Sequence, residues 1–155
     1  MLEGGCHCGS VRYSVAGEVE HHGLCHCSDC RRCAGATPVP WIAFKSEGLT
    51  VTKGEPTVYH SSEGVERHFC PTCGTGLFYF NEAALPGLVD IQSVTLDRAG
   101  DFAPEGHIMM IEALPWEAGV DSLPSSTVFP AWIDAHSAAA SRSSASFACR
   151  AHISA

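Results

Sequence analysis

Positive charge is scarce in this chain. Nine Lys and Arg residues stand against seventeen Asp and Glu in 155 residues, for a net charge of -8. Arg31 and Arg32 are the one adjacent pair of basic residues. Nucleic-acid binding needs clustered cations to neutralise phosphates, so that class is set aside. Long apolar runs are missing too, and nothing approaches the ~20 residues that a membrane-spanning helix requires. The opening segment, Met1-Leu2-Glu3-Gly4-Gly5, has neither the basic start nor the apolar stretch of a signal peptide. The expectation is a cytoplasmic protein with no membrane and no nucleic-acid partner, in a compartment where thiols stay reduced. A sustained helical period is also lacking before residue 130, which leaves strands as the main element.

Cysteine, by contrast, is plentiful and clustered. Eight of the nine cysteines fall into three groups: Cys6-His7-Cys8, then Cys25-His26-Cys27-Ser28-Asp29-Cys30-Arg31-Arg32-Cys33, then Cys70-Pro71-Thr72-Cys73. In a reducing compartment such groups read as metal ligands or catalytic thiols, and the odd total fits that better than a disulfide framework. Cys149 is isolated and is expected to be inert.

The body of the chain reads as short strands between turns. Val11, Tyr13 and Val15 alternate with polar residues in the period of a half-buried strand. Further strands are expected at Trp41 to Phe44, Leu49 to Thr52, Thr57 to His60, Val65 to Phe69, Leu77 to Phe80, Leu88 to Leu96 and His107 to Ile111. Lys53-Gly54-Glu55-Pro56 and Ser61-Ser62-Glu63-Gly64 supply turn signals. The fold class expected is mainly β. One domain over residues 1–124 is followed by a Ser/Ala-rich extension over 125–155, in which Ala131 to Ala140 is a candidate short helix.

Two metal sites are expected. Cys6 and Cys8 with Cys70 and Cys73 make two turns that can close a tetrahedral shell of four thiolates around a structural zinc. Gly74, after the second turn, suits a knuckle that needs positive φ. Cys25, Cys27 and Cys30 can face a second ion from one loop and leave its fourth corner open, the pattern of a catalytic zinc. Cys33 is the alternative fourth ligand, which would close the shell. Arg31 and Arg32 offset thiolate charge or hold a substrate carboxylate. His7 and His26 alternate with ligand cysteines and are expected to point away from the metals. His21 and His22 read as solvated loop residues.

These motifs together resemble the glutathione-dependent formaldehyde-activating enzyme family, whose domain is shared with centromere-protein-V-like proteins. The resemblance rests on Gly4-Gly5-Cys6-His7-Cys8-Gly9, Val11-Arg12-Tyr13, Cys25-His26-Cys27-Ser28-Asp29-Cys30-Arg31 with Gly35, and Arg67-His68-Phe69-Cys70-Pro71-Thr72-Cys73-Gly74. Val94-Thr95-Leu96-Asp97, Pro104, His107-Ile108 and Leu114-Pro115-Trp116 extend it. It implies a β-tent of antiparallel sheets with zinc knuckles. It implies a structural zinc on Cys6, Cys8, Cys70 and Cys73, and a catalytic zinc on Cys25, Cys27 and Cys30. The activity it implies is that of a carbon–sulfur lyase, forming S-hydroxymethylglutathione reversibly from glutathione and formaldehyde. The partners are then a small-molecule thiol and an aldehyde, with Arg31 and Arg32 as candidate glutathione contacts and His26 and His107 as candidate proton donors. The alternatives are a non-catalytic zinc module for protein interaction, and a thiol or aldehyde sensor that uses Cys33.

Overall fold

The computed structural model describes residues 1–127. The expected helix over 131–140 and Cys149 lie outside the described residues. The chain divides into one unit over Met1–Pro115 and a second that begins at Trp116. Among the described residues, no helix is long and apolar enough to cross a membrane.

The first unit is built of two sheets. Strands β1 (Leu2–Gly5), β2 (Arg12–Val15), β3 (His21–Cys25), β4 (Val39–Lys45) and β5 (Leu49–Lys53) come first. They are followed by β6 (Thr57–Ser62), β7 (Val65–Phe69), β8 (Gly76–Asn81), β9 (Leu88–Gln92) and β10 (Gly106–Ile108). A three-stranded sheet has the order β1-β2-β5, and a seven-stranded sheet the order β10-β3-β4-β9-β8-β7-β6. All pairings are antiparallel except that of β10 with β3.

Alternation along the strands of the large sheet separates two apolar clusters. Ile42, Phe44, Phe78, Val89 and Ile91 join Tyr13 and Val15 of the small sheet, and Val11 just before β2, in the main core. Cys6 and Cys70 belong to that same core. Tyr13 meets the Phe78 ring edge-on at 5.0 Å and shares a hydrogen bond of 2.8 Å with Thr95 Oγ1, so its hydroxyl keeps a partner inside. Trp41 and Val39 gather the second cluster, with Cys25, Cys30, Cys27 and Tyr79.

Several expected elements differ. Leu88 to Leu96 is not one strand: it leaves the sheet at Gln92 and winds into a 3-10 turn over Ser93–Thr95, where Thr95 Oγ1 donates to the Gln92 carbonyl. His107 to Ile111 stops at Ile108, because Met109 turns left-handed (φ 58°) into a second such turn over Met110–Glu112. The thiol-rich loop contains a helix, α1 (Ser28–Ala34), which sequence periodicity missed because seven residues show too little of the period. Gly35 ends it in the left-handed conformation, its N–H bonded to the Arg31 carbonyl. His21 and His22 are not in a loop but on β3, where His22 is buried and pairs with Ser93 Oγ at 2.9 Å.

Candidate metal centres and the adjoining cavity

The first thiol group joins the N-terminal turn to the turn after β7. The sulfurs of Cys6, Cys8, Cys70 and Cys73 all lie within 4.8 Å of one another. Cys6 and Cys8 are 3.6 Å apart and Cys8 and Cys70 3.8 Å. A tetrahedral zinc with bonds of about 2.3 Å would hold its sulfurs roughly 3.8 Å apart, so the donor set fits that ion. Gly74 has φ 75°, and its N–H returns to the Cys70 carbonyl at 2.9 Å. The Val11 N–H donates to Cys6 Sγ, and Cys73 Sγ lies 3.2 Å from Thr75 Oγ1. The Thr75 hydroxyl is the main reason that the Cys73 thiol is pulled down to about 5.

The second group is assembled differently. Cys25 ends β3, Cys27 caps α1 by accepting from the Cys30 N–H, and Cys30 is buried in the first turn of the helix. Their three sulfurs also lie within 4.8 Å of one another. Cys25 first, then Cys27 and the Arg67 guanidinium, pull the Cys30 thiol down to about 5 against burial. The Cys30 contact, reinforced by burial, pushes the Cys25 thiol up. Three soft donors at this spacing fit the same kind of ion with one corner unfilled by the group itself. Cys33 is exposed, one helical turn further on, and is not part of the group.

These thiols open onto a cavity of about 380 Å³, which Trp41, Arg67, Tyr79, Asp90, His21 and Glu112 also line. A wider groove of about 680 Å³ shares Trp41 and Arg67 with that cavity and carries Arg32 and Cys33. Arg31 turns elsewhere and donates to the Glu112 carbonyl at 3.2 Å. His26 and His107 are bonded to each other at 2.8 Å, and neither lines the thiol cavity. His26 is buried.

The sequence assigned no role to two charged residues of the site, Arg67 and Asp90. Arg67 is buried, with its guanidinium nitrogens 3.9 and 4.0 Å from Cys30 Sγ and its plane 4.8 Å from the centre of the Tyr79 ring. The available signal was an arginine at the same strand face as Val65. Asp90 is buried between Val89 and Ile91 in β9. Burial pushes its carboxyl up to about 6, against the pull of His21. Among the described residues, Trp41 Nε1 and Asp90 Oδ1 are the buried side-chain polar atoms without a hydrogen bond.

Residues 1–112 match the family model described as glutathione-dependent formaldehyde-activating enzyme. A Halomonas elongata protein that carries the same designation in its name is 30% identical over 142 residues, spanning 86% of this chain and 90% of its own length. An uncharacterized lyase of Schizosaccharomyces pombe is 33% identical over 79 residues, half of this chain. The crystal structure of a Rhodobacter sphaeroides protein aligns with a TM-score of 0.56 at 25% identity, covering 68% of this chain and 99% of that one.

Proposed function

The chain belongs to the glutathione-dependent formaldehyde-activating enzyme family, and on that premise we propose that it is a carbon–sulfur lyase for adducts of a glutathione-type thiol with a small aldehyde. Formaldehyde is the aldehyde in this reading, and S-hydroxymethylglutathione the adduct. The observation that carries the proposal is the contrast between the two thiol groups. One has four sulfurs, enough for a closed structural shell; the other has three and faces a cavity.

In this reading Cys6, Cys8, Cys70 and Cys73 hold a structural zinc, and Cys25, Cys27 and Cys30 hold a second. Bound there, the second ion supplies Lewis-acid chemistry that favours the thiolate form of an incoming thiol. The chain's own groups do the rest. Arg67 sets a buried positive charge beside Cys30 and offsets the excess negative charge of three thiolates. Trp41 and Tyr79 form part of the cavity wall and give it an aromatic lining. The indole N–H of Trp41 is buried without a hydrogen-bond partner, and the residue also lines the cavity. Arg32 lines the adjoining groove, which supports it as the contact for a glutathione carboxylate. Arg31, bonded to the Glu112 carbonyl, serves first to anchor α1.

The test is to titrate zinc-loaded protein with glutathione and follow zinc–sulfur coordination by X-ray absorption. One added sulfur per two zinc ions is expected, together with accelerated exchange between free formaldehyde and its glutathione adduct by NMR. Unchanged coordination and no acceleration would sink the reading.

A further inference from the structure

The cavity holds a second set of groups whose chemistry the thiols do not use. The register of the large sheet places His21, Ala43, Asp90, Tyr79 and Arg67 in one row across β3, β4, β9, β8 and β7. Directly opposed residues share a face of a sheet, so all five project towards the cavity side. β3 and β9 are two strand spacings apart, about 10 Å. Their side chains still meet, because the residue between them is alanine: His21 Nε2 lies 3.1 Å from Asp90 Oδ1. Beyond this ion contact the Oδ1 atom is buried and takes no hydrogen bond. Asp90 and His21 both line the thiol cavity. Their exposures differ in a directed way, with the Asp90 side chain 10% accessible and that of His21 38%.

We infer that Asp90 is the proton carrier of the lyase reaction, and that His21 connects it to solvent. The inference rests on the function proposed above. In synthesis, the Asp90 carboxylate takes the thiol proton. The sulfur lone pair forms the C–S bond as the carbonyl π pair moves onto oxygen, and the proton on Asp90 passes to that oxygen to give the hydroxymethyl group. Cleavage runs the same transfers backwards, so no net proton, electron or co-reactant is needed. A buried carboxylate suits the task, because desolvation brings its proton affinity towards that of a group that both accepts and releases near neutrality. His21, at the edge, resets the carboxylate when adduct and free reactants exchange out of step.

The groups facing Asp90 leave it this role. Tyr79 stands on one flank, His21 on the other beyond Ala43, Arg67 is further along the row, and Cys30 of α1 also borders the cavity. The arginine sits against Cys30 rather than against the carboxylate, so no salt bridge with it holds Asp90 permanently ionised.

The experiment is isothermal titration of zinc-loaded protein with glutathione alone, near neutral pH, in buffers of different ionisation enthalpy. An incoming thiol that binds as thiolate loses about one proton, since a free thiol is mostly protonated at that pH. In wild type the negative charge of the incoming thiolate pushes the neighbouring Asp90 carboxyl further up, so it keeps part of that proton and release to buffer is expected to fall clearly below one per thiol bound. In Asp90→Asn release should rise to about one per thiol bound, and turnover should fall about a hundredfold or more with zinc content unchanged. Asp90→Glu should restore capture. Full release from wild type overturns the inference whether or not the Asn variant folds, while leaving the lyase reading standing. Absence of any glutathione binding to wild type removes the lyase reading and this inference with it.

Discussion

Replacing Asp90 with Asn should stabilise the protein at alkaline pH and leave it unchanged in acid. The Asp90 carboxyl is raised from 3.8 to about 6 in the folded chain, chiefly by burial. Between those values the folded state keeps a proton that the unfolded state has lost. Its contribution to stability is therefore fully present below the unfolded value and is lost as pH rises through about 6. A displacement of about two pH units corresponds to about 3 kcal/mol in the fully ionised limit. Asn resembles the protonated acid and carries no such dependence. The variant should thus exceed wild type by about 3 kcal/mol near pH 8, by roughly half that near pH 5, and by little below about pH 4. Urea unfolding of both zinc-loaded proteins across this range measures it, and the shared pH dependence of metal retention cancels in the difference. A difference that stays flat with pH would refute the reasoning, since it would mean that Asp90 keeps an ordinary carboxyl despite its burial.

Other outcomes follow from the same geometry. Cys70→Ser, at a fully buried core position, should prevent stable folding, because structural zinc binding contributes on the order of 10 kcal/mol; circular dichroism and metal analysis report both losses. Cys27→Ser should keep the strand spectrum and lower the zinc content from two to about one per chain, as expected where only the second, open set of ligands is broken. Cys33→Ala should leave chelator-measured zinc affinity within about a factor of two, because a tenfold drop, near 1.4 kcal/mol, would require that sulfur to be a ligand. Tyr13→Phe should lose about 1 kcal/mol in a denaturant titration, the usual worth of one hydrogen bond, here that to Thr95.

What the sequence reveals depends on how local the cause is. Alternation of apolar and polar residues is local, so β2, β4 and β7 could be read from Val11 to Val15, Trp41 to Phe44 and Val65 to Phe69. The four-thiol group was legible because two short turns announce it. Strands β1 and β3 were not legible: Leu-Glu-Gly-Gly and His-His-Gly-Leu-Cys have poor strand propensity and owe their conformation to pairing with β2 and β4. The ends of β9 and β10 were misplaced for a related reason. Ser93 leaves the sheet to meet His22 from a strand 71 residues earlier, and nothing within the run itself signals that partner.

The same reasoning explains why the thiols were easy to find and their neighbours were not. Metal ligands must come in sets at short spacing, and C-x-C-x-x-C leaves that trace in any sequence. A carboxylate that carries a proton needs only a cavity, a path and a reason to be desolvated, and none of these has a spacing. For Asp90 all three come from register: Tyr79 beside it, Ala43 small enough to let His21 approach, and α1 with Cys30 bordering the same space. Ala43 is therefore as much a part of the site as the charged residues, although it has no functional group. A bulkier side chain there would fill the gap across which His21 and Asp90 meet, and would separate the buried carboxylate from solvent without altering either titratable residue.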